Sequence, residues 1–372
     1  MDRNPKNGFS MLQLLWSNLC ARPVRTLLIV VAIGLQVFMV LFFVGLTAGI
    51  VSEWAKRVEG VGADILVQPP NASIFLVFSP AVMLESHAGR IGALKGVDEV
   101  APVLAVMNPS TMDVVYGIDY PRFNALSKGF LFLQGRPFEA PDEVIVDDIK
   151  ARTKNIAIGE KVTLLGREFT VCGIVAHGKG ARFFIPLQTA QEISGAERRV
   201  SLFYVRSMGD TERTRQEIIR LLPSYRVRSM GEYMTLMNSD NLPQFKPFIR
   251  AILGIGVITS FLVVLLFMHT SVLERTREIG ILKSLGASRL GIVRLFVGET
   301  LLLTGFGIVL GLGSTFGLVA VLEQTVPTLT VLISQDWILR AIALAIVGAV
   351  AGALYPAYRA AGFDPVDALA YE

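Results

Sequence analysis

Long apolar runs without charge alternate along this chain with sequence of ordinary polarity. Four runs stand out: Thr26–Ser52, Ala251–Leu273, Thr300–Leu322 and Ala341–Tyr358. A stretch of about 20 apolar residues satisfies its own backbone as a helix and crosses a hydrocarbon layer of about 30 Å, so each run is predicted to span a membrane. The fourth is the shortest. Trp337 to Leu339 extend it at the interface, with Arg340 snorkelling to the polar boundary. The first would reach roughly 40 Å as a helix, so its outer end is expected to project as a stalk. It is too long for a cleaved signal, whose apolar core is about 7–15 residues, and reads as an uncleaved anchor.

Between the first two runs the period changes. Residues 53–250 carry short β-type runs punctuated by Gly, Pro and Asp, with helical stretches among them. Expected strands are Asp64–Gln68, Asp113–Gly117, Glu143–Val146, Lys161–Leu164 and Glu168–Val175, the last pair joined at Gly166. A β-α-β element follows: Val200–Arg206, a helix capped by Asp210 and running to Leu222, then Tyr225–Arg228. The predicted fold is therefore a membrane α-helical protein of four transmembrane helices, with a large α+β extracytoplasmic domain inserted between helices 1 and 2. In full, residues 1–25 form a cytoplasmic segment, 26–52, 251–273, 300–322 and 341–358 the spans, 53–250 the domain, 274–299 a cytoplasmic link, 323–340 an outer link and 359–372 a cytoplasmic tail. Phe9, Leu12, Trp16 and Leu19 fall at helical spacing, which fits an interfacial helix or an extension of the first span.

Charge sets the orientation. Arg3, Lys6, Arg22 and Arg25 precede the first span, and Arg275, Arg277, Lys283, Arg289 and Arg294 fill the link between the second and third, whereas Glu323–Asp336 has no Lys or Arg. Basic short links stay in the cytoplasm, so both termini are expected inside and the domain outside. The composition agrees: 52% hydrophobic and 18% charged, against roughly 25% charged in soluble domains. A net charge of +4 without a basic run sets nucleic acid aside. The two cysteines, Cys20 and Cys172, fall on opposite sides in this topology and cannot pair within a chain.

No reaction centre assembles from the residues. His87 and His177 are isolated, and no Cys/His cluster has metal spacing. Asp142, Glu143, Asp147 and Asp148 read as a solvated turn and helix start in preference to a cation site. Ionisable residues lie only near span ends, at Glu299, Arg340 and His269. Small residues recur four apart, at Gly45/Gly49, Gly307/Gly311, Gly313/Gly317 and Gly348/Gly352; packing within one chain is the default reading of such pairs. The basic link contains a short amphipathic helix, with Ile279, Leu282 and Leu285 expected on one face, broken at Gly286 and restarting at Ser288. Its pattern alone leaves open an interfacial connector or a docking element.

A resemblance carried by three stretches favours the docking element. Arg277–Ser288 (REIGILKSLGAS) and Tyr355–Glu372 (YPAYRAAGFDPVDALAYE) resemble the signatures of the FtsX/MacB-type ABC transporter permease family. Val171–Val175 (VCGIV) with Phe184–Gln191 (FIPLQTAQ) is similar to that family's extracytoplasmic domain. The resemblance implies a non-catalytic permease subunit, working as a homodimer or heterodimer with cytoplasmic ABC ATPase subunits that bind ATP and Mg; this chain itself would bind no cofactor. It implies that Arg277, Glu278, Gly280, Lys283, Gly286 and Ser288 belong to the ATPase-coupling segment, and that Gly45 and Gly49 are the candidates for a dimer seam on the first two spans. A periplasmic adaptor and membrane lipid are further partners it allows. The sequence has no G-x-x-x-x-G-K-[ST] phosphate loop, so the ATPase is expected on a separate polypeptide, as in the lipoprotein-releasing and heterocyst glycolipid exporter relatives. The expected function is to couple ATP hydrolysis to movement of the external domain for export or extraction of a substrate. The alternative is a non-transporting, FtsX-like mechanotransmission subunit that regulates an external partner.

Overall fold

The computed structural model describes residues 23–73, 81–237, 246–325 and 329–363. The expected N-terminal interfacial helix and most of the C-terminal tail lie outside the described residues. Two compact units emerge, one of long helices and one of mixed α and β structure, with the division falling inside the first helix between Ala48 and Gly49.

Among the described residues four helices are long and apolar enough to cross a membrane. They are Pro23–Glu59, Lys246–Glu274, Arg289–Thr325 and Gln335–Ala361. Each extends beyond the apolar run that predicts it, because helix length is set by caps and breakers while the apolar run reports only composition. The first continues past Ser52 through an i,i+4 pair of Glu53 and Arg57 until Gly60 and Gly62, the latter at φ +81°. Its 37 residues measure about 55 Å. The third starts at Arg289 under a cap from Ser288, whose Oγ accepts the Gly291 N–H at 3.1 Å. Residues 289–299, expected in the link, are thus part of this helix. The fourth is capped by Ser334, and Arg340 lies over the Trp337 ring at 4.7 Å.

Small residues bring these helices into contact. A Cβ at Gly311 would lie 2.6 Å from the Gly34 carbonyl oxygen, and one at Gly307 would lie 2.7 Å from Ile33 Cβ, so the first and third helices cross backbone to backbone. Gly352 likewise meets the Phe261 carbonyl of the second helix, while Gly313 and Gly317 face open space. At Gly45 the space is filled by Val331 and Ile333 of the same chain, and its carbonyl accepts the Leu332 N–H at 2.9 Å; Gly45 and Gly49 are both buried.

The second unit is built on one mixed sheet. Its strands are β1 (Ile65–Gln68), β3 (Val97–Met107), β4 (Val114–Ile118), β5 (Phe132–Gly135), β6 (Glu143–Asp147), β7 (Lys161–Leu164), β8 (Arg167–Val175), β9 (Phe183–Pro186), β11 (Leu202–Ser207) and β12 (Arg226–Ser229). The short β2 (Met83–Leu84) and β10 (Arg199–Val200) pair separately. The order is β12-β1-β11-β3-β4-β9-β6-β8-β5, with β7 also on β8. β7 and β8 form a hairpin over Leu165 and Gly166, both at positive φ, as type I′ geometry requires. Asp210 caps the helix Thr211–Leu221 by accepting the Glu212 and Arg213 N–H groups. That helix connects β11 to β12 with β1 inserted between them, so the expected β-α-β element is present in split form.

The acidic cluster is the expected turn and helix start, with Asp142 exposed in the turn, but it is not solvated throughout. Asp147 is buried, caps the helix Asp148–Lys154 and accepts from Arg182 Nη1 at 3.0 Å. Arg182 Nη2 also reaches Glu53, on the last turns of the first helix, at 3.3 Å. Glu143 pairs with Arg136, and Asp148 with Arg152 and His177. Glu143, Asp147 and Asp148 are thus claimed by different cations, because their side chains diverge along β6 and the helix start that follows it. Among the described residues no group of three or more His, Cys, Asp or Glu could hold a metal ion.

Candidate functional site

The link between the second and third spans folds as a nine-residue helix, Thr276–Ser284. It is set off from the second span by Arg275 alone, whose φ of −111° and ψ of 14° break the helical run. At the other end Gly286 takes φ +94°, a conformation glycine adopts without strain, and the Ser288 cap then starts the third span.

Ile279 and Gly280 face inward and are buried; Arg277, Glu278, Ile281, Leu282 and Leu285 are exposed, Leu285 by 80%. The sequence pattern put Leu282 and Leu285 on one face with Ile279, whereas Ile279 is buried and the two leucines are exposed. Helical geometry explains the difference. Each residue advances about 100°, so two successive i+3 steps carry position 285 roughly 120° away from 279. Leu285 therefore ends on the open face, beside Glu278 and Leu282. Glu278 and Leu282 border a groove of about 500 Å³ between the link helix and the start of the third span, lined also by Ala287, Gly291 and Leu295.

The six residues of the family-like motif thus take separate places. Arg277 and Glu278 point out. Gly280 packs inward, its carbonyl accepting from Ser284 Oγ at 3.0 Å. Gly286 makes the turn and Ser288 caps the next helix. Lys283 points back: its Nζ donates to the Ala361 carbonyl at 3.1 Å and to the Phe363 carbonyl, at the end of the fourth span.

Two polar features were not evident from the sequence. Arg275 Nη1 lies 3.2 Å from Glu299 Oε2, with side chains 7% and 1% exposed, joining the entrance of the link helix to the third span. A carboxylate so enclosed is costly unless paired. Gln36, at the centre of the first span, is buried beside a groove shared with Ile252, Ile255 and Thr259 of the second, and its Oε1 has no hydrogen-bond partner. As an uncharged amide, Gln36 leaves the first span free of charge and so carries no signal of its own in the charge pattern.

Comparison with known proteins gives these features a context. Residues 26–221, over half of the chain, match the family described as MacB-like periplasmic core domain, and residues 250–365 match FtsX-like permease C-terminal. The ABC transporter permease YknZ of Bacillus subtilis is 26% identical over 96% of this chain and 97% of its own length. The pyoverdine export ATP-binding/permease protein PvdT of Pseudomonas putida is 28% identical over 97% of this chain. The macrolide export ATP-binding/permease protein MacB of Neisseria gonorrhoeae is 26% identical over 72%. The matched regions make up 59% and 45% of those two proteins. Among solved structures, the periplasmic region of MacB from Actinobacillus actinomycetemcomitans is 17% identical with a TM-score of 0.37, covering 50% of this chain and 94% of that structure. The link helix, its outward charges and the split β-α-β sheet are therefore parts of a membrane protein that belongs to the FtsX/MacB-type family of ABC transporter permeases.

Proposed function

We propose that this permease couples ATP hydrolysis by a cytoplasmic ABC ATPase to movement of its α+β domain on the other side of the membrane, for export or extraction of a substrate. The observation that carries the reading is the outward face of the link helix. Arg277 and Glu278 flank exposed Ile281, Leu282 and Leu285 on a short helix that is held at both ends. Exposed apolar side chains rimmed by charge mark a surface for a protein partner, and the basic composition of this link supports a cytoplasmic position, where an ATPase is available. ATP and Mg would be bound by that partner, on a separate polypeptide. The similarity to YknZ over nearly its whole length supports this reading, since that protein is described as an ABC transporter permease. The assembly would contain a second permease chain.

The test is binding and stimulation of the ABC ATPase encoded with this chain, measured in nanodiscs. Glu278→Lys and Leu285→Asp should each lower affinity and stimulated hydrolysis at least tenfold while the permease inserts normally. Full stimulation by both well-inserted variants would leave the link a simple connector.

A further inference from the structure

We infer that Lys283 is a positioning residue that ties the link helix to the fourth span, carrying displacement of the link to a helix with which it shares no covalent junction. The inference rests on the proposed coupling role and departs from the family-like reading of Lys283 as part of a docking surface. By chain connection the link helix joins only the second span, through Arg275, and the third, through Gly286–Ser288. The fourth span comes last in the chain. Its final carbonyls, like those of any helix, lack partners in their own helix, and the end of the helix dipole there attracts a cation. Lys283 supplies that cation from the last turn of the link helix. Its ammonium has three donors, and two meet the carbonyls of Ala361 and Phe363.

The opposite end of the link helix is fastened by the buried Arg275–Glu299 pair to the third span. Both ends are therefore held by charge to neighbouring spans, while the face carrying Arg277, Glu278 and Leu285 stays open. A push on the open face moves the helix as a body. The Arg275 contact passes that motion to the third span, and the Lys283 contact passes it to the fourth. Packing of Ile279 alone would let the fourth span slip, because an apolar contact has no preferred register, whereas two hydrogen bonds from one ammonium fix it.

The test separates docking from tying. In nanodiscs, Lys283→Met should bind the ATPase encoded with this chain within twofold of the parent, whereas Glu278→Lys loses at least tenfold. A spin label at Tyr358, exposed on the fourth span, should respond to vanadate-trapped ATP in the parent. In Lys283→Met that response should fall at least fivefold, and Lys283→Arg, which keeps two donors, should restore it. An affinity loss in Lys283→Met matching that of Glu278→Lys would make Lys283 a docking residue and overturn the tie; so would an undiminished label response. A second readout needs no ATPase: in the chain alone, amide exchange at Gly362 and Phe363 should quicken at least fivefold in Lys283→Met and not in Lys283→Arg. Unchanged exchange refutes the tie even if ATPase coupling stands. Quickened exchange with no ATPase binding by the parent supports the tie and refutes the coupling proposal.

Discussion

Replacing Gly311 by alanine probes whether the membrane unit is held by close helix contact. The added Cβ would sit 2.6 Å from the Gly34 carbonyl oxygen and 2.8 Å from Val37 Cβ, about 0.8 Å inside ordinary van der Waals distance. Neither neighbour is the far end of a flexible chain, so the first and third helices must separate. A gap of 0.5–1 Å forfeits about a quarter to a half of each dispersion contact along the crossing, and overpacking of this kind costs about 1–3 kcal/mol. Alanine's better helix propensity returns up to about 1 kcal/mol. The net loss should be about 1–2 kcal/mol. Gly313→Ala serves as the control, since nothing lies within 4 Å of its Cβ, and it should be neutral or slightly stabilising. Thermal unfolding of the full chain in detergent should rank Gly311→Ala below the parent and Gly313→Ala at or above it. Equal midpoints for the two variants would refute the close crossing.

Other predictions rest on the α+β unit and the topology. Arg182→Met should destabilise the protein by about 3–5 kcal/mol by leaving buried Asp147 without its cation. Burial holds the Asp147 carboxyl above its ordinary range even with Arg182 beside it, so its contribution is favourable below that range and is lost as pH rises through the folded value. The variant's deficit in thermal unfolding should therefore shrink on acidification, and a deficit independent of pH would contradict the burial argument. Cys172 is buried and its thiol is pushed up to about 12 by burial, so peptide mapping after maleimide treatment at pH 8 should find it unlabelled in the native protein and labelled after denaturation. Cysteines at Ser288 and Ser334 should respond oppositely to an impermeant reagent on intact cells, with only position 334 reacting; equal labelling would reject the orientation.

Much of this architecture was legible because each signal is local. An uncharged run of twenty residues can meet its backbone needs only as a helix in lipid, and alternation marks β8 as far as its hairpin at Gly166. The long strand β3 escaped because Pro102 interrupts its pattern and its apolar run lacks alternation; it is buried between β11 and β4. The candidate site was legible in identity but not in direction. The motif Arg277–Ser288 marks the right segment, yet which of its side chains face out depends on packing against the third and fourth spans. Lys283 meets residues about 80 positions later, and Arg275 meets Glu299 24 positions on. Such pairings follow from the bundle, not from the motif.

The outward face of the link helix is the centre of the account, and a photo-crosslinking amino acid at Leu285 tests it most directly. In cells producing this permease and the ABC ATPase encoded with it, illumination should yield a crosslinked permease–ATPase product from position 285 and none from position 309, an exposed residue of the third span. Absence of that product from position 285, with the complex otherwise intact, would contradict the docking role.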